Sequence, residues 1–314
     1  MPLLDLGAAF AIALQYFTII YLTGLGGLFC ERSGIVNIGL EGMMIIGTVT
    51  GAYGAERWGP WQGLLFGLAC GALFSLVHAV ATITFRVDQI VSGVVINLVA
   101  VGLARFLSSA FFDGQATQSN PGAPHLARIS IPLLSKLPWG LGVAFQTMSP
   151  LVVVAIFLVF PASFVLYRTR WGLRLRSAGE NPEATRSVGV RVSPIRYQGV
   201  LISGAFAGLS GAFLALEVND HWKEGQTLGL GFIALAALIL SNWSPKRLMA
   251  AALLFGFAQA IPYRLNSAPV IRLLPPQFIR MIPYVVTIVA ISGFVGKVRP
   301  PAAAGRVYEG GSAL

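Results

Sequence analysis

A series of long apolar segments constrains the fold of this chain more than any other feature of its sequence. A helix of about 20 apolar residues crosses the ~30 Å hydrocarbon core of a bilayer, and its backbone groups must satisfy one another there. The 314 residues are therefore predicted to form one all-α integral membrane domain, a polytopic bundle of about eight to ten transmembrane helices. The apolar segments lie at about 8–29, 36–54, 61–85, 89–112, 150–167, 199–218, 227–242, 248–264 and 278–296.

The composition excludes a water-soluble monomer. Charged residues make up 11% of the chain and hydrophobic residues 55%, whereas a soluble domain carries about 25% charged residues. A net charge of +10 is compatible with nucleic-acid binding, but the basic residues lie beside the apolar segments, which is the pattern that sets membrane topology. We therefore expect membrane lipid, and no nucleic acid, around this chain.

The arginine-rich stretch 168–198, here called the island, orients the chain. It contains seven arginines and only two acidic residues, and cytoplasmic loops carry the excess of Lys and Arg. The island is therefore predicted to be cytoplasmic. Alternation of the segments places the C-terminus on the same side, with 300–314 as a flexible tail, and makes 113–149 the longest external loop. The side of the N-terminus stays open, because one re-entrant segment would reverse it.

Glycines and polar residues interrupt the apolar stretch at 31–44, which includes Asn37 and Glu41. A charge at mid-bilayer costs at least about 2.5–3.5 kcal/mol, so it usually faces a cavity or a partner. One interpretation is a broken helix beside a translocation path. The other is a short cytoplasmic loop followed by a helix, with Glu41 near the interface. If the stretch were helical, Asn37 and Glu41 would share one face.

A second glycine-interrupted segment, at 227–240, follows in the second half. Short segments of this kind in the two halves of a transporter indicate a substrate site. Asn97, in the middle of an apolar segment, can hydrogen-bond a polar solute or a neighbouring helix. Together these patterns predict a set of pathway residues: Asn37, Glu41, Asn97, Gly229, Gly231 and Phe232.

The core of the island predicts a helical knob. Asn181 can cap a helix, Pro182 suits its first position, and Glu183 complements the positive N-terminus. Gly189 is a suitable C-terminal stop. An anionic-lipid-binding loop would explain the arginines but not this ordered turn, so a protein partner is the favoured interpretation.

Motifs of soluble enzymes are missing from the sequence. It has no G-x-x-x-x-G-K-[ST], no H-E-x-x-H and no G-x-S-x-G, and its histidines and cysteines lack metal-ligand spacing. We therefore expect a protein that is not an enzyme, has no catalytic or metal-binding residue and binds no cofactor itself. If ATP drives it, another chain must hydrolyse the ATP.

Three motifs resemble permease subunits of bacterial ABC importers, in the branch related to ribose, branched-chain amino acid and nucleoside permeases. The similarity spans roughly 10–296 and is strongest to the nucleoside or simple-sugar type that works with a binding lipoprotein. One departure is Ser241-Asn242, where the family usually has a glycine-containing turn. The motifs are Glu31-Arg-Ser-Gly-Ile-Val-Asn-Ile-Gly-Leu-Glu-Gly-Met43, Gly172-Leu-Arg174 through Gly179-Glu-Asn-Pro182, and Gly229-x-Gly231-Phe232-x-Ala-Leu-Ala.

The resemblance implies a type II ABC importer-like fold in the bacterial inner membrane, with glycine-broken segments along the pathway. It implies ATPase subunits that hold ATP and Mg²⁺, an extracytoplasmic substrate-binding protein, and a second permease subunit, identical or, as is common in the family, different. The alternative is an ion-coupled secondary transporter, for which Glu41 is nearly the only candidate carboxylate. The coupling helix implied within 170–190 includes Arg174, Gly179, Glu180, Asn181, Pro182, Glu183 and Gly189.

Overall fold

The computed structural model describes residues 2–112, 125–138, 141–219, 221–267, 276–294 and 298–308, and within them the regular elements are helices, with an isolated β-bridge between Ile129 and Met148. This confirms the predicted all-α fold. The helices are α1 (Pro2–Arg32), α2 (Leu40–Trp58), α3 (Pro60–Ala79), α4 (Gln89–Phe111), α5 (Pro150–Phe157), α6 (Val159–Arg168), α7 (Arg170–Glu180), α8 (Pro182–Ser187), α9 (Val192–Phe213), α10 (Leu230–Leu240), α11 (Pro245–Ser267) and α12 (Pro276–Phe294).

Five helical stretches are long and apolar enough to cross a membrane by length and composition. Two of them extend α3 and α9 by a π-helical turn, and one combines α5 with α6. Shorter apolar helices lie at Leu230–Leu240 and Gln277–Ala290, and the predicted segments at 36–54 and 248–264 form most of α2 and α11. The five long stretches are Leu6–Arg32, Pro60–Thr84, Gln89–Phe111, Pro150–Arg168 and Val192–Val218.

Small residues let the central helices approach closely. A Cβ atom on Gly71 would overlap the carbonyl oxygen of Gly204, and one on Gly208 would overlap that of Gly67. α3 and α9 therefore touch backbone to backbone, which only glycine allows and which provides dense packing without a hydrophobic driving force in lipid.

The two ends of the bundle differ in what covers them. At the end that holds the island, here called the island end, α7 and α8 lie beside the C-terminus of α1. At the opposite, far end, the chain after α4 folds back through an antiparallel bridge between Ile129 and Met148. Leu126 donates its N–H to Glu217 Oε1 at 2.8 Å, so the described part of the predicted external loop is folded against the bundle. Residues 113–124, 139 and 140 of that loop lie outside the described residues.

The predicted flexible tail needs correction over 300–308. Ala303 is 5% exposed and donates its N–H to the carbonyl of Gly179 at 2.8 Å. Arg299 N donates to Asn242 Oδ1 at 3.0 Å. We call residues 298–308 the C-terminal strap, because they pack across the island end. Residues 309–314 lie outside the described residues.

Candidate translocation and coupling sites

The first interruption separates α1 from α2. Gly34 has φ +96°, a left-handed conformation that suits glycine, and α2 does not begin until Leu40. Asn37 therefore lies in a non-helical segment, so it does not share a helical face with Glu41. We call 33–39 the first break. The interpretation of a broken helix fits this geometry.

Two asparagines hold the first break in place. Asn97, on α4, accepts from Gly42 N at 2.7 Å and donates to Ile38 O at 3.0 Å, so its amide joins both sides of the segment. Asn37 is fully buried and donates to Ser203 Oγ at 2.8 Å on α9, while its Oδ1 has no partner among the described residues. Of the two roles open to Asn97, the structure supports the contact with a neighbouring segment.

Glu41 binds the second interruption. Its side chain is buried, 7% exposed, and accepts from Thr227 Oγ1 at 2.6 Å, Gly229 N at 2.9 Å and Gly231 N at 2.7 Å. These donors surround the N-terminus of α10, where free N–H groups and the helix dipole favour a negative charge. Glu41 therefore acts as the cap of α10 that the local sequence lacks.

Glycine is required at both contacts with Glu41. Gly229 has φ +77°, and a Cβ atom on Gly231 would lie 2.6 Å from the Cα and N of Glu41. Phe232, one residue further on, is 47% exposed. The structure thus brings together the glycine-interrupted motifs of the two halves, 190 residues apart in sequence.

The helical knob of the island has the caps that its sequence predicts. Asn181 Oδ1 accepts from Ala184 N at 2.9 Å, and Pro182 is the first residue of α8. The helix ends at Ser187, and Gly189 follows with φ +80°. Leu175 and Ala178 are buried, whereas Arg174 and Glu183 are exposed. The exposed face of α7 and α8 therefore carries basic and acidic side chains, while buried residues such as Leu175 and Ala178 anchor the helix pair.

The knob contacts the first break directly. A Cβ atom on Gly179 would overlap the carbonyl oxygen of Arg32, and one on Gly34 would lie 3.2 Å from the Cα of Gly179. Glu180 Oε1 lies 3.8 Å from Arg32 Nη1. The first break and the knob, which are far apart in the sequence, thus pack together as one unit at the island end.

A tryptophan that sequence reasoning missed joins this unit to the end of α10. Trp243 donates its indole N–H to Glu31 Oε2 at 2.6 Å, and its carbonyl accepts from Arg32 Nη2 at 2.8 Å and Nε at 3.1 Å. Asn242 and Trp243 have φ of 52° and 54°, so the turn that departs from the family pattern still takes the left-handed path. No local sequence signal points to contacts across 212 residues.

The C-terminal strap completes the unit. Ala302 N donates to Glu180 Oε2 at 3.2 Å and Ala303 N to Gly179 O at 2.8 Å. Gln89 on α4 donates to Arg306 O at 3.4 Å and accepts from Val36 N, in the first break, at 2.6 Å. The strap therefore ties the knob, the first break and the turn after α10 to one another.

Among the described residues, no group of three or more His, Cys, Asp and Glu side chains could hold a metal ion. His78 is fully buried, with Nδ1 2.9 Å from Ser92 Oγ and Nε2 3.1 Å from Val36 O. Both of its ring nitrogens are thus engaged in packing α3 against α4 and the first break.

Apolar helices of membrane-spanning length, two interrupted helices that meet inside the bundle, and an anchored polar knob at one end define a membrane transport protein. The model of the branched-chain amino acid transport system / permease component family matches residues 9–291. The chain belongs to this family, so it is a permease subunit of an ABC transport system and a transport component without an enzymatic role of its own.

Curated relatives agree with that assignment. The guanosine ABC transporter permease protein NupQ of Bacillus subtilis is 41% identical over 306 residues, which cover 94% of each chain. The nucleoside ABC transporter permease protein NupC of Lactococcus lactis is 41% identical over 305 residues, again 94% of each. A Haloferax volcanii protein, provisionally named the glucose ABC transporter permease protein TsgC13, is 35% identical over 88% of each chain. No solved structure gave a significant match. The ion-coupled alternative is not favoured by these relatives.

Proposed function

We propose that this chain is the membrane-spanning subunit of an ATP-driven importer of nucleosides. The observation that carries the proposal is the 41% identity to guanosine and nucleoside permeases over 94% of the chain. The relative named for glucose is less similar, at 35% over 88%, so a simple sugar is the second candidate substrate.

In this proposal the chain lies in the bacterial cytoplasmic membrane with the island end and the C-terminus in the cytoplasm. The excess of arginine in the island supports that orientation. The contacts of the strap with Gly179 and Glu180 support placing the C-terminal segment on the same side as the knob.

ATPase subunits, which hold ATP and Mg²⁺, dock on the exposed face of α7 and α8. Their movement reaches the first break through the contact between Gly179 and Arg32. It reaches the end of α10 through the hydrogen bonds of Arg32 to Trp243. One mechanical input at the knob therefore displaces both interrupted helices, which gives the two states that alternating access requires.

The interrupted helices line the pathway, with Gly229, Gly231 and Phe232 at its second-half wall and Asn37, Glu41 and Asn97 as the groups that fix their positions. Because Glu41 already accepts three hydrogen bonds from this chain, its carboxylate oxygens have partners without a solute. A neutral solute such as a nucleoside can therefore pass without a charged partner in the wall.

Two further partners complete the importer. An extracytoplasmic binding protein delivers the solute to the far end, where residues 125–138 and 141–149 of the external loop lie. A second permease subunit, identical or different, supplies the other half of the pathway.

Uptake by the reconstituted complex tests the proposal. The permease, its ATPase, the second permease and the binding protein are placed in proteoliposomes, and radiolabelled guanosine uptake is measured with and without ATP. We expect uptake that depends on ATP, survives an ionophore and is not competed by ribose. Uptake that stops with the ionophore but continues without ATP would contradict the ABC mechanism, and uptake of ribose in place of guanosine would contradict the nucleoside assignment.

A further inference from the structure

A cavity of about 520 Å³ lies beside the N-terminus of α10, and Leu230, between Gly229 and Gly231, is part of its wall. Its walls come from α1, α11, α12 and the connection before α10, which contributes Asn219, residues 223–226, Leu228 and Leu230. Ligand pockets in proteins measure about 300–1,000 Å³, so this cavity has the size of a small-molecule site.

The cavity lies in the half of the bundle away from the island. Tyr16, in its wall, precedes Arg32 at the island end by 16 residues, which is about 24 Å of helix. α10 begins at Leu230, also in the wall, and its 11 residues run towards the contacts of Trp243 with Glu31 and Arg32. The cavity therefore lies next to the contact of Glu41 with the N-terminus of α10, on the side away from the island end.

One side chain in the wall has an unused hydrogen-bond donor. Gln226 is 6% exposed, and its Oε1 accepts from Asn219 Nδ2 at 3.0 Å. Its Nε2 has no partner among the described residues. An amide NH₂ carries two donors, and leaving a buried donor unpaired costs free energy that a ligand acceptor would recover.

The rest of the wall offers the chemistry that recognises a neutral ring compound. Tyr16 is buried, and Tyr284 donates its hydroxyl to Leu228 O at 2.7 Å, which fixes its ring beside the segment that contains Gln226. Gln259 adds a second amide from α11. Aromatic faces pack against planar rings, and amides hydrogen-bond carbonyl and hydroxyl groups.

The charged residues of the wall do not make it a site for an ion. Lys223 and Glu224 are exposed, and Glu224 pairs with Arg105 on α4, where Oε1 lies 3.0 Å from Nη2 and Oε2 accepts from Nε at 3.2 Å. The buried part of the wall is formed by neutral residues, Tyr16, Gln226, Leu230, Pro262 and Pro283. A neutral solute with hydrogen-bond acceptors therefore fits it better than a phosphorylated one.

We propose that this cavity is a transit site at which the permease itself contacts the nucleoside, with Gln226 donating a hydrogen bond to a carbonyl or hydroxyl oxygen of the solute. The inference rests on the nucleoside-importer function proposed above and adds the residues that select the solute within the membrane. It makes Gln226 and Gln259 specificity-determining residues.

The test uses the full complex in proteoliposomes with radiolabelled guanosine. Gln226→Leu removes the donor but keeps most of the side-chain volume, and we expect guanosine uptake to fall about two- to tenfold, the effect of one hydrogen bond. ATP hydrolysis without solute and the affinity of the binding protein for guanosine should not change. Gln226→Glu replaces the donor with an acceptor and should lower uptake at least as much.

Two more variants test whether a loss of guanosine uptake in Gln226→Leu arises from the cavity. Gln15→Leu removes an amide next to Tyr16 that bonds only weakly, at 3.5 Å, to Glu217 O, and it should leave uptake unchanged. Gln259→Leu removes an amide from a different helix and should lower uptake. Loss in Gln226→Leu without loss in Gln259→Leu, or equal loss in Gln15→Leu, would mark local damage and overturn the transit site.

The outcome also separates this inference from the proposed function. If the unmodified complex takes up guanosine and both cavity variants match it, the transit site is wrong and the nucleoside importer stands. If the unmodified complex takes up neither guanosine nor uridine, the substrate assignment itself fails, and the transit site fails with it.

Discussion

The two interruptions of the helical bundle both contain glycines, and they differ in their surroundings. The first break, 33–39, has its groups engaged by Asn97, Ser203, Gln89 and His78, and it is pressed against Gly179. The second interruption, at the N-terminus of α10, is held by Glu41 through Thr227, Gly229 and Gly231. Gly225, Gln226 and Leu228, just before it, border a cavity, and the Nε2 of Gln226 has no partner among the described residues. Under the function proposed above, the first transmits movement from the knob, and the second leaves room for a solute.

This difference explains why Glu41 is placed where it is. A carboxylate inside a bundle needs partners, and here the partners are the N–H groups of the opposite interruption. The hydrogen bonds of the Glu41 carboxylate therefore join the two interruptions to each other. The predictions that follow test this asymmetry, beginning with the change expected to have the largest effect.

Gly179→Val should have the largest effect. Its side chain would overlap the Arg32 carbonyl, and because both backbones are packed, overcrowding should cost about 1–3 kcal/mol or displace α7. We expect loss of ATP-driven uptake and of ATPase co-purification, measured on the purified complex. Gly102→Ala is the matched control, since a Cβ there meets nothing within 4 Å. Normal uptake by the valine variant would show that the knob and the first break are not coupled.

Glu41→Gln should have the next largest effect. The substitution keeps the shape of the side chain but replaces one acceptor with an NH₂ group facing backbone donors, and hydrogen bonds to a charged group contribute about 1.5–3 kcal/mol each. The midpoint of thermal unfolding should fall, and uptake should fall with it. Glu56→Gln, an exposed site on α2, is the control. An unchanged unfolding midpoint would mean that Glu41 does not hold α10.

Removal of the C-terminal strap should have an intermediate effect. A chain that ends at residue 297 loses the hydrogen bonds to Gly179, Glu180 and Asn242, each a net contribution of about 0.5–1.5 kcal/mol. We expect lower thermal stability and ATP hydrolysis that is less stimulated by the loaded binding protein. A chain that ends at Tyr308 keeps these bonds and serves as the control. If the two truncations behave alike, the strap does not stabilise the knob.

The parts of the structure that the sequence predicts are those with local causes. Asn181, Pro182 and Gly189 delimit α8 through capping and backbone conformation. Apolar length likewise predicts the helices themselves, because lipid leaves the backbone no other partner.

The relations that the sequence does not predict are long-range. Nothing near Glu41 indicates that its partners are Thr227, Gly229 and Gly231, and nothing near Trp243 indicates Glu31. The strap has the small, polar composition of a free tail, yet backbone hydrogen bonds, which composition does not report, hold it in place. Gln226 was overlooked because a single amide in a connecting segment carries no motif.

Glu180→Gln should have the smallest effect on the fold. The variant therefore separates two roles of Glu180, anchoring the C-terminal strap and contacting the ATPase. Its ion pair with Arg32 is 3.8 Å long and the Glu180 side chain is 53% exposed, so such a pair contributes about 0–1 kcal/mol. Glutamine keeps an oxygen to accept from Ala302 N, so thermal stability should hardly change. If Glu180 also meets the ATPase, as proposed, loss of its charge should weaken ATPase co-purification several-fold at unchanged stability. Normal ATPase co-purification and normal uptake would show that Glu180 only anchors the strap. The ATPase would then dock on other exposed residues of the knob, such as Arg174 and Glu183.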